Sequence, residues 1–205
     1  MNTRGVLSSL WDKGDTVVPD SISNYIDGVK RCLGELPAEE IQATIDAILG
    51  AYHRNNSVIV LGNGGSAATA SHFALDLSKV TRVEGKHHLR AMSLTDNVPL
   101  LTALSNDISY ASVFKEQLAS FLSEGDVVIC ITASGNSPNV LEAARYARAK
   151  GATTIGLIGF GGGKLKEIAD IAITISLKSY RQVEDTHMVL AHLISQEVER
   201  RIRGN

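Results

Sequence analysis

The sequence predicts an α/β fold: a doubly wound, mostly parallel five-stranded sheet with helices on both faces, preceded by two extra N-terminal helices. Five short apolar runs are separated by helical segments, which is the pattern of parallel strands covered on both faces. Two of these runs end in loops of glycine, serine and asparagine. The chain has 205 residues and no visible internal linker. We therefore expect one domain over 20–205, after an N-terminal arm at 1–19 that shows no periodicity.

The two N-terminal helices are predicted from apolar residues at helical spacing. The first begins near Ser21 and the second near Pro37, a residue suited to a first helical turn. Two further helices are more than one small sheet needs to cover its apolar faces. We therefore expect them to contact another subunit of a homo-oligomer. The first strand, at 58–61, is then followed by a glycine-rich loop and a helix that continues through Ser78.

The rest of the chain repeats this alternation of strand and helix. Apolar runs predict further strands at 89–94, 126–132, 153–158 and 171–175. Helical spacing predicts two helices within 98–125, then helices at 138–150, 164–169 and 183–201. Ligands in such folds bind beyond the carboxyl ends of the strands, where both Gly/Ser loops lie.

Composition narrows the classes of function. The net charge is -2 and the pI is about 6.3, with lysine and arginine scattered along the chain, which argues against nucleic acid as a partner. No apolar run approaches the length of a membrane span, and the first residues lack the apolar core of a signal peptide. We expect a cytoplasmic protein without a membrane partner. Cys32 and Cys130 are expected to be small core residues.

The first Gly/Ser loop lies within SVIVLGNGGSAATASHFALDLSK, at 57–79. Glycine lets the backbone take positive φ and lets a ligand approach closely, and the free N–H groups of the following helix favour an anion. The loop lacks the GK[ST] of a P-loop, and Ala67 stands where a dinucleotide-binding motif has its last glycine. A tight turn that binds nothing is the alternative.

The second loop follows the strand at 126–132 and is rich in hydroxyl groups. Thr132, Ser134 and Ser137 can donate hydrogen bonds beside the N–H groups of the next helix, a combination that suits a phosphate monoester. The alternative is that Ser137 before Pro138 is an ordinary helix N-cap. Capping would account for Ser137 but leaves Thr132 and Ser134 unexplained.

Two predicted helices each carry a histidine and a carboxylate. His72 and Asp76 are four residues apart and share a face. On the last helix, Glu184 and His192 are eight apart, about 80° around the axis, whereas His187 and His192 are about 140° apart. If the helices meet, these four groups could hold zinc or another divalent ion, or supply a general acid and a general base. Either histidine of the last helix alone is more simply a core residue.

Five segments taken in this order resemble the sugar isomerase (SIS) domain proteins, and among them most closely the sedoheptulose 7-phosphate isomerases, or phosphoheptose isomerases. The resemblance covers about 21–201. Its carriers are GNGGSAATASHFALDL, SLTDNVPLLTALSND, TASGNSPNVLEAA, GATTIGLIGFGGGKL and VEDTHMVLAHL.

The resemblance implies an aldose–ketose isomerase acting on a small phosphosugar, with zinc or another divalent metal as cofactor. It implies a homotetramer with sites at subunit interfaces. It places the catalytic acid/base pair at Asp76 and His192, and the metal ligands at His72, Asp76, Glu184 and His192. The substrate-binding positions that it implies are Asn63, Gly64, Ser66, Asp96, Thr132, Ser134, Gly135, Asn136 and Ser137.

The sequence departs from the family pattern at its site. Asp76 stands where the family has Glu, which draws the carboxylate back by about one ångström, a displacement that can matter for rate. Glu184 replaces Gln and adds a negative charge, and Thr132 and Ala133 replace the usual Ser and Thr. The altered Asp76 keeps two alternatives open: a non-catalytic SIS module that binds a phosphosugar or a protein partner, as a replication-initiation regulator does, and an isomerase of another phosphosugar.

Overall fold

The computed structural model describes residues 20–204, so the predicted arm at 1–19 lies outside the described residues. The strands are β1 (Ser57–Gly62), β2 (Arg90–Ser93), β3 (Val127–Thr132), β4 (Thr153–Ile158) and β5 (Ile171–Thr174). The helices are α1 (Asp20–Gly34), α2 (Ala38–His53), α3 (Gly65–Val80), α4 (Val98–Asp107), α5 (Val113–Phe121), α6 (Pro138–Ala149), α7 (Leu165–Ile168) and α8 (Tyr180–Arg203). Each element predicted between 20 and 204 is present, with bounds shifted by up to three residues.

The five strands form one sheet in the order β2-β1-β3-β4-β5, and each neighbouring pair is parallel. The chain leaves β1 toward one edge and returns to the other side of β1 at β3, so the strand order reverses there. Sheets of this kind bind ligands at the carboxyl ends of the strands that flank the reversal. The two Gly/Ser loops follow β1 and β3 and therefore lie side by side.

Helices cover both faces because side chains alternate along the buried strands. Val58 and Val60 of β1 belong to a cluster that includes α2, α3 and α8, whereas Ile59 and Leu61 belong to one that includes α5 and α6. The central strands β1 and β3 are buried along their whole length. These two buried strands thus provide a rigid support for the loops at their carboxyl ends. Cys32 and Cys130 are free and buried, as predicted.

The two N-terminal helices differ in what covers them. Ile45, Ile48 and Tyr52 of α2 are buried in the chain's own core, so α2 serves the sheet that it precedes. In α1 only Gly28 and Cys32 are buried, while Ile22 and Ile26 are 48% and 47% exposed. The expectation that neither helix is needed to cover this chain's own sheet is therefore wrong for α2. Within 20–204, no helix combines the length and apolar character needed to cross a membrane.

Candidate functional site: a hydroxyl-lined pocket and a His–Asp–His cluster

The turn from β1 into α3 depends on glycine at two points. A Cβ on Gly62 would lie 2.8 Å from the carbonyl oxygen of Ser66 and 2.9 Å from that of Ile131, so the turn packs tightly against β3. Gly64, at the N-cap, has a φ of 56°, which disfavours any side chain. No side chain of the described residues caps the start of α3. The N-terminus of α3 is thereby held against the end of β3.

Asn63 is fixed by three polar contacts that its own sequence neighbourhood did not reveal. Its amide nitrogen donates to Oδ1 of Asn139, and the Asn139 amide donates back to Oδ1 of Asn63, each at 2.9 Å. The Tyr110 hydroxyl donates to the same oxygen of Asn63 at 2.8 Å. Asn139 and Tyr110 were missed because they follow from tertiary pairing between distant segments. They lock the first loop onto the start of α6.

The second loop is built on the glycine run after β4. Gly135 has a φ of 66°, and a Cβ there would lie 2.1 Å from the carbonyl oxygen of Gly162. The Leu165 N–H donates to the Gly135 carbonyl at 3.0 Å, and the Lys164 N–H donates to Oδ1 of Asn136 at 3.1 Å. The run at 161–163 is therefore a support for the loop, and Gly135 and Asn136 have structural roles within it.

The hydroxyl groups of the second loop differ in the hydrogen bonds that they accept from the loop backbone. Thr132 Oγ1 accepts from the Gly135 N–H and Ser134 Oγ accepts from the Asn136 N–H, both at 3.2 Å. Ser137 occupies the N-cap position of α6, but its side chain makes no capping hydrogen bond. Ser137 is therefore the N-cap residue by position, with Pro138 in the first turn, but its hydroxyl does not act as the cap. All three hydroxyls keep a proton that they can donate to a ligand.

The two loops enclose a small polar pocket of about 150 Å³. It brings together most of the predicted substrate-binding side chains with Glu184, and it adds Tyr180, which the sequence did not single out. The lining residues are Asn63, Ser66, Ile131, Thr132, Ala133, Ser134, Ser137, Tyr180 and Glu184. Gly64, Gly135 and Asn136 shape the loops without lining this space. Tyr180 was missed because its ring is placed by an edge contact with Phe160, at 4.7 Å between centroids.

Glu184 lies in this pocket, away from the other predicted metal ligands. A Cβ on Gly65 would fall within 2.6 Å of both carboxylate oxygens and the carboxyl carbon of Glu184. The carboxylate therefore lies directly against the first residue of α3, at the positive end of the helix. Among residues 20–204 it makes no side-chain hydrogen bond or ion pair.

The other three predicted metal ligands meet where α3 and α8 pack together. His72 Nε2 lies 2.9 Å from His192 Nε2, and the Asp76 carboxylate lies 3.4 Å from the first and 3.8 Å from the second. The side chains are 41% exposed for His72, 21% for Asp76 and 55% for His192. The sequence could not show whether α3 and α8 bring these side chains together. In the structure they meet, in a cluster that is accessible to solvent.

The donor types of this cluster fit a divalent cation. One nitrogen from each imidazole and one carboxylate oxygen all lie within 4.8 Å of one another. Two histidines with one carboxylate, leaving a position open, are a usual ligand set for catalytic zinc. The close imidazole pair can share one hydrogen bond, or both lone pairs can be directed with the carboxylate at one ion.

The pocket and the cluster are joined by two helices that both begin at the pocket. Ser66 lines the pocket and His72 is six residues further along α3, about 9 Å; Glu184 and His192 on α8 are eight residues apart, about 12 Å. Between Ser66 and His72, the exposed residue of α3 is the small Ala68. The helix rise therefore separates the pocket and the cluster by about 9 to 12 Å.

Asp96 lies outside the pocket. Its carboxylate accepts a hydrogen bond of 2.5 Å from Ser71, whose hydroxyl also contacts that of Thr95 at 3.0 Å. Asp96 and Ser71 line a separate groove of about 470 Å³ beside the edge strand β2. Ser71 directly precedes His72, so Asp96 contacts the helix that carries the cluster. Asp96 does not line the pocket at the second Gly/Ser loop.

His187 is separate from this site. It is fully buried, and neither ring nitrogen has a hydrogen-bond partner among residues 20–204. Burial lowers the pKa of His187 from 6.5 to about 4, so its imidazole is neutral near pH 7. His187 and His192, about 140° apart around α8, do not share one site.

With this geometry established, the similarity to known proteins is informative. Residues 24–159 match the model of the SIS domain family. The chain belongs to the SIS domain family. A phosphoheptose isomerase of Geotalea uraniireducens is 37% identical over 185 residues, which cover 90% of this chain and 95% of the relative.

Solved structures support the same fold assignment. A phosphoheptose isomerase from Neisseria gonorrhoeae superposes with a TM-score of 0.79 at 27% identity, covering 87% of this chain and 94% of that one. The sugar isomerase domain of an RpiR transcription factor from Sphaerobacter thermophilus superposes with a TM-score of 0.67 at 21% identity, covering 89% of each chain. SIS domains of this shape thus occur both in isomerases and in regulators, so the side chains of the site must decide the function.

Proposed function

We propose that this protein is an aldose–ketose isomerase that converts sedoheptulose 7-phosphate into an aldoheptose 7-phosphate. The observation that carries the proposal is the placement of the His72–Asp76–His192 cluster about one phosphosugar length from a hydroxyl-lined pocket. The 37% identity to a phosphoheptose isomerase over nearly the whole chain supports the same substrate.

The phosphate is assigned to the second loop. Thr132, Ser134 and Ser137 converge on a pocket at the N-terminus of α6, where hydroxyl donors and backbone N–H groups favour an anion. Asn63, locked by Asn139, and Ser66 form the opposite wall. This end of the site fixes the sugar and leaves its first two carbons free to reach along α3.

The chemistry at the other end is a proton transfer between neighbouring carbons. One group removes a proton from C1 of the ketose, giving an enediol. After exchange with solvent a proton is added at C2, and the hydroxyl proton passes from the C1 oxygen to the C2 oxygen. We assign these proton transfers to Asp76 and His192, which lie 3.8 Å apart at the end of the path from the pocket. His72 lies 3.4 Å from the Asp76 carboxylate and can orient it.

His72, Asp76 and His192 would also hold a divalent ion, zinc by preference of the donor set. When bound, such an ion polarises the carbonyl and hydroxyl oxygens of the substrate. Loading the protein with zinc should give stoichiometric metal that the double substitution His72→Ala, His192→Ala removes. Retention of zinc by the double variant would place the metal elsewhere.

The proposal is tested by an NMR time course of sedoheptulose 7-phosphate with zinc-loaded protein. We expect an aldose product whose formation stops after chelation and resumes when zinc is restored. Bound sugar phosphate without turnover would overturn the isomerase assignment.

A regulator-type SIS module is the second candidate, because Asp76 is shorter than the family's Glu and a transcription factor's SIS domain shares the fold. Such a module needs the phosphate pocket but not the cluster. The substitution Asp76→Asn distinguishes the two candidates. An isomerase should lose turnover and keep its affinity for the sugar phosphate, whereas a binding module shows no turnover before or after the substitution.

We further propose a cytoplasmic homotetramer, with residues 20–205 forming a single domain. Its support is the apolar surface of α1, where Ile22, Ile26 and Leu33 are between 36% and 48% exposed. A surface of this kind on a metabolic enzyme is typical of a subunit contact.

A further inference from the structure

The side-chain amide of Asn63 is held in one orientation by the start of α6. Asn139 Oδ1 accepts the backbone N–H of Val140 at 3.0 Å, and a backbone N–H can only donate, so this contact identifies the Asn139 oxygen. The amides of Asn63 and Asn139 then pair head to tail, each donating to the oxygen of the other at 2.9 Å. Turning the Asn63 amide over would place oxygen against oxygen and nitrogen against nitrogen.

This orientation leaves Asn63 with one unpaired donor. Its Oδ1 has two lone pairs, which accept from the Asn139 amide and from the Tyr110 hydroxyl. Its Nδ2 has two hydrogens, and one of them is used in the bond to Asn139. Asn63 lines the pocket, whereas Asn139 and Tyr110 do not. Within residues 20–204, the polar group that Asn63 has left for a ligand is therefore an N–H.

The opposite wall of the pocket also carries donors. Thr132, Ser134 and Ser137 line it, and the whole space is about 150 Å³, so a group bound there meets both walls. A phosphate has acceptor oxygens on every side, and hydrogen bonds to an ionised acceptor are stronger than those between neutral groups. The free N–H of Asn63 thus suits the same ligand group as the hydroxyls.

We propose that Asn139 and Tyr110 are positioning residues of the phosphate pocket: they hold the oxygen of the Asn63 amide toward themselves and leave its free N–H to donate to a phosphate oxygen. Both act through Asn63 and neither contacts the ligand. The ligand class is a phosphate monoester, and this role rests on the proposed function.

The test is a double-mutant cycle on the affinity of the full-length protein for inorganic phosphate and for sedoheptulose 7-phosphate, measured by titration calorimetry at fixed zinc content. Asn63→Ala should weaken phosphate binding by roughly tenfold or more, because a hydrogen bond to a charged group is lost. Asn139→Ala should weaken it by roughly three- to tenfold, because the Asn63 amide must then be ordered on binding. Added to Asn63→Ala, it should cause no further loss.

Tyr110→Phe is a milder second variant that removes a single hydroxyl. Tyr110 is 54% exposed, so this change should leave the fold intact even if Asn139→Ala is unstable. It should weaken phosphate binding severalfold in the unmodified protein and have no effect when Asn63 is already alanine. Tyr146→Phe is the matched control, because the Tyr146 hydroxyl on α6 makes no hydrogen bond within the described part of the chain. Thermal unfolding shows that each variant is folded at the titration temperature.

Additive losses from Asn63→Ala and Asn139→Ala would overturn the proposal, since Asn139 would then act on the start of α6 and not through Asn63. Unchanged phosphate affinity in Asn63→Ala, or equal effects of Tyr110→Phe and Tyr146→Phe, would overturn it as well. The cycle with inorganic phosphate decides the matter even if the protein does not turn over sedoheptulose 7-phosphate, an outcome that counts against the isomerase assignment alone.

Discussion

At the residue scale, Ser137 shows how structure decides between two interpretations that sequence leaves open. A serine before Pro138 at a helix start has the sequence signature of an N-cap. In the structure its hydroxyl makes no capping bond and lines the pocket instead. The residue type was readable from sequence, but the direction of its side chain was not.

Ser137→Ala should therefore weaken ligand binding with little effect on stability. Loss of one hydrogen bond to a charged phosphate should raise the Kd for sedoheptulose 7-phosphate by roughly tenfold or more. The unfolding midpoint should change little, because no cap is lost. Calorimetric titration and thermal unfolding measure the two quantities, with Ser120→Ala on the exposed side of α5 as the control. A large loss of stability with unchanged Kd would restore the capping role.

His187 makes stability depend on pH. Its pKa is about 4 in the folded protein and near 6.5 when unfolded. Between pH 6.5 and pH 4 the imidazole is therefore protonated in the unfolded state but neutral in the folded state. The free energy of unfolding falls as the pH drops through this range. Over that window the loss is on the order of 3 kcal/mol.

His187→Leu should remove this pH-dependent loss. It should not cost a hydrogen bond, because the two buried ring nitrogens have no partner within residues 20–204. Denaturant unfolding at pH 7 and pH 5 measures the difference, with the exposed His53→Leu as the control. The gap between variant and unmodified protein should widen at pH 5. An equal gap at both values would mean that His187 does not titrate in this way.

At the scale of elements, sequence predicted the strands, the helices and both loops, because apolar periodicity and glycine clusters are local signals. The spacing of His72 and Asp76 placed both on one face of α3, and Glu184 and His192 were placed together on α8. What local patterns lacked was the relative rotation and offset of the two helices. The packed structure brings His192 to His72 and leaves Glu184 at the pocket, against Gly65.

The support of the phosphate loop by the glycine run predicts a sharp effect for Gly135→Ala. A side chain at a φ of 66° is strained, and its Cβ would overlap the Gly162 carbonyl. We expect a loss of roughly 1–3 kcal/mol in unfolding free energy, together with loss of phosphate binding.

Gly34→Ala is the matched control, since a Cβ there meets nothing within 4 Å at the end of α1. Chemical denaturation and phosphate titration of both variants provide the comparison. Equal stability of the two variants would show that the second loop does not need its glycine.

At the scale of the whole molecule, α1 carries an apolar face that residues 20–204 do not cover, with Ile22 and Ile26 48% and 47% exposed. Ile26→Lys places a charge there, while Asn24→Lys places the same charge on an exposed polar position of the same helix. Light scattering coupled to size-exclusion chromatography should show smaller species for Ile26→Lys and the unmodified mass for Asn24→Lys. An unchanged mass for both would remove α1 from the subunit contact.

The central claim concerns proton transfer at the cluster, and one measurement tests it most directly. Sedoheptulose 7-phosphate is incubated with zinc-loaded protein in D₂O, and ¹H and ²H NMR follow the product. An enediol route through Asp76 and His192 predicts an aldose that carries deuterium at C2, with its formation abolished in Asp76→Asn and in His192→Ala. An aldose formed without deuterium, or formed at the normal rate by either variant, would contradict the account.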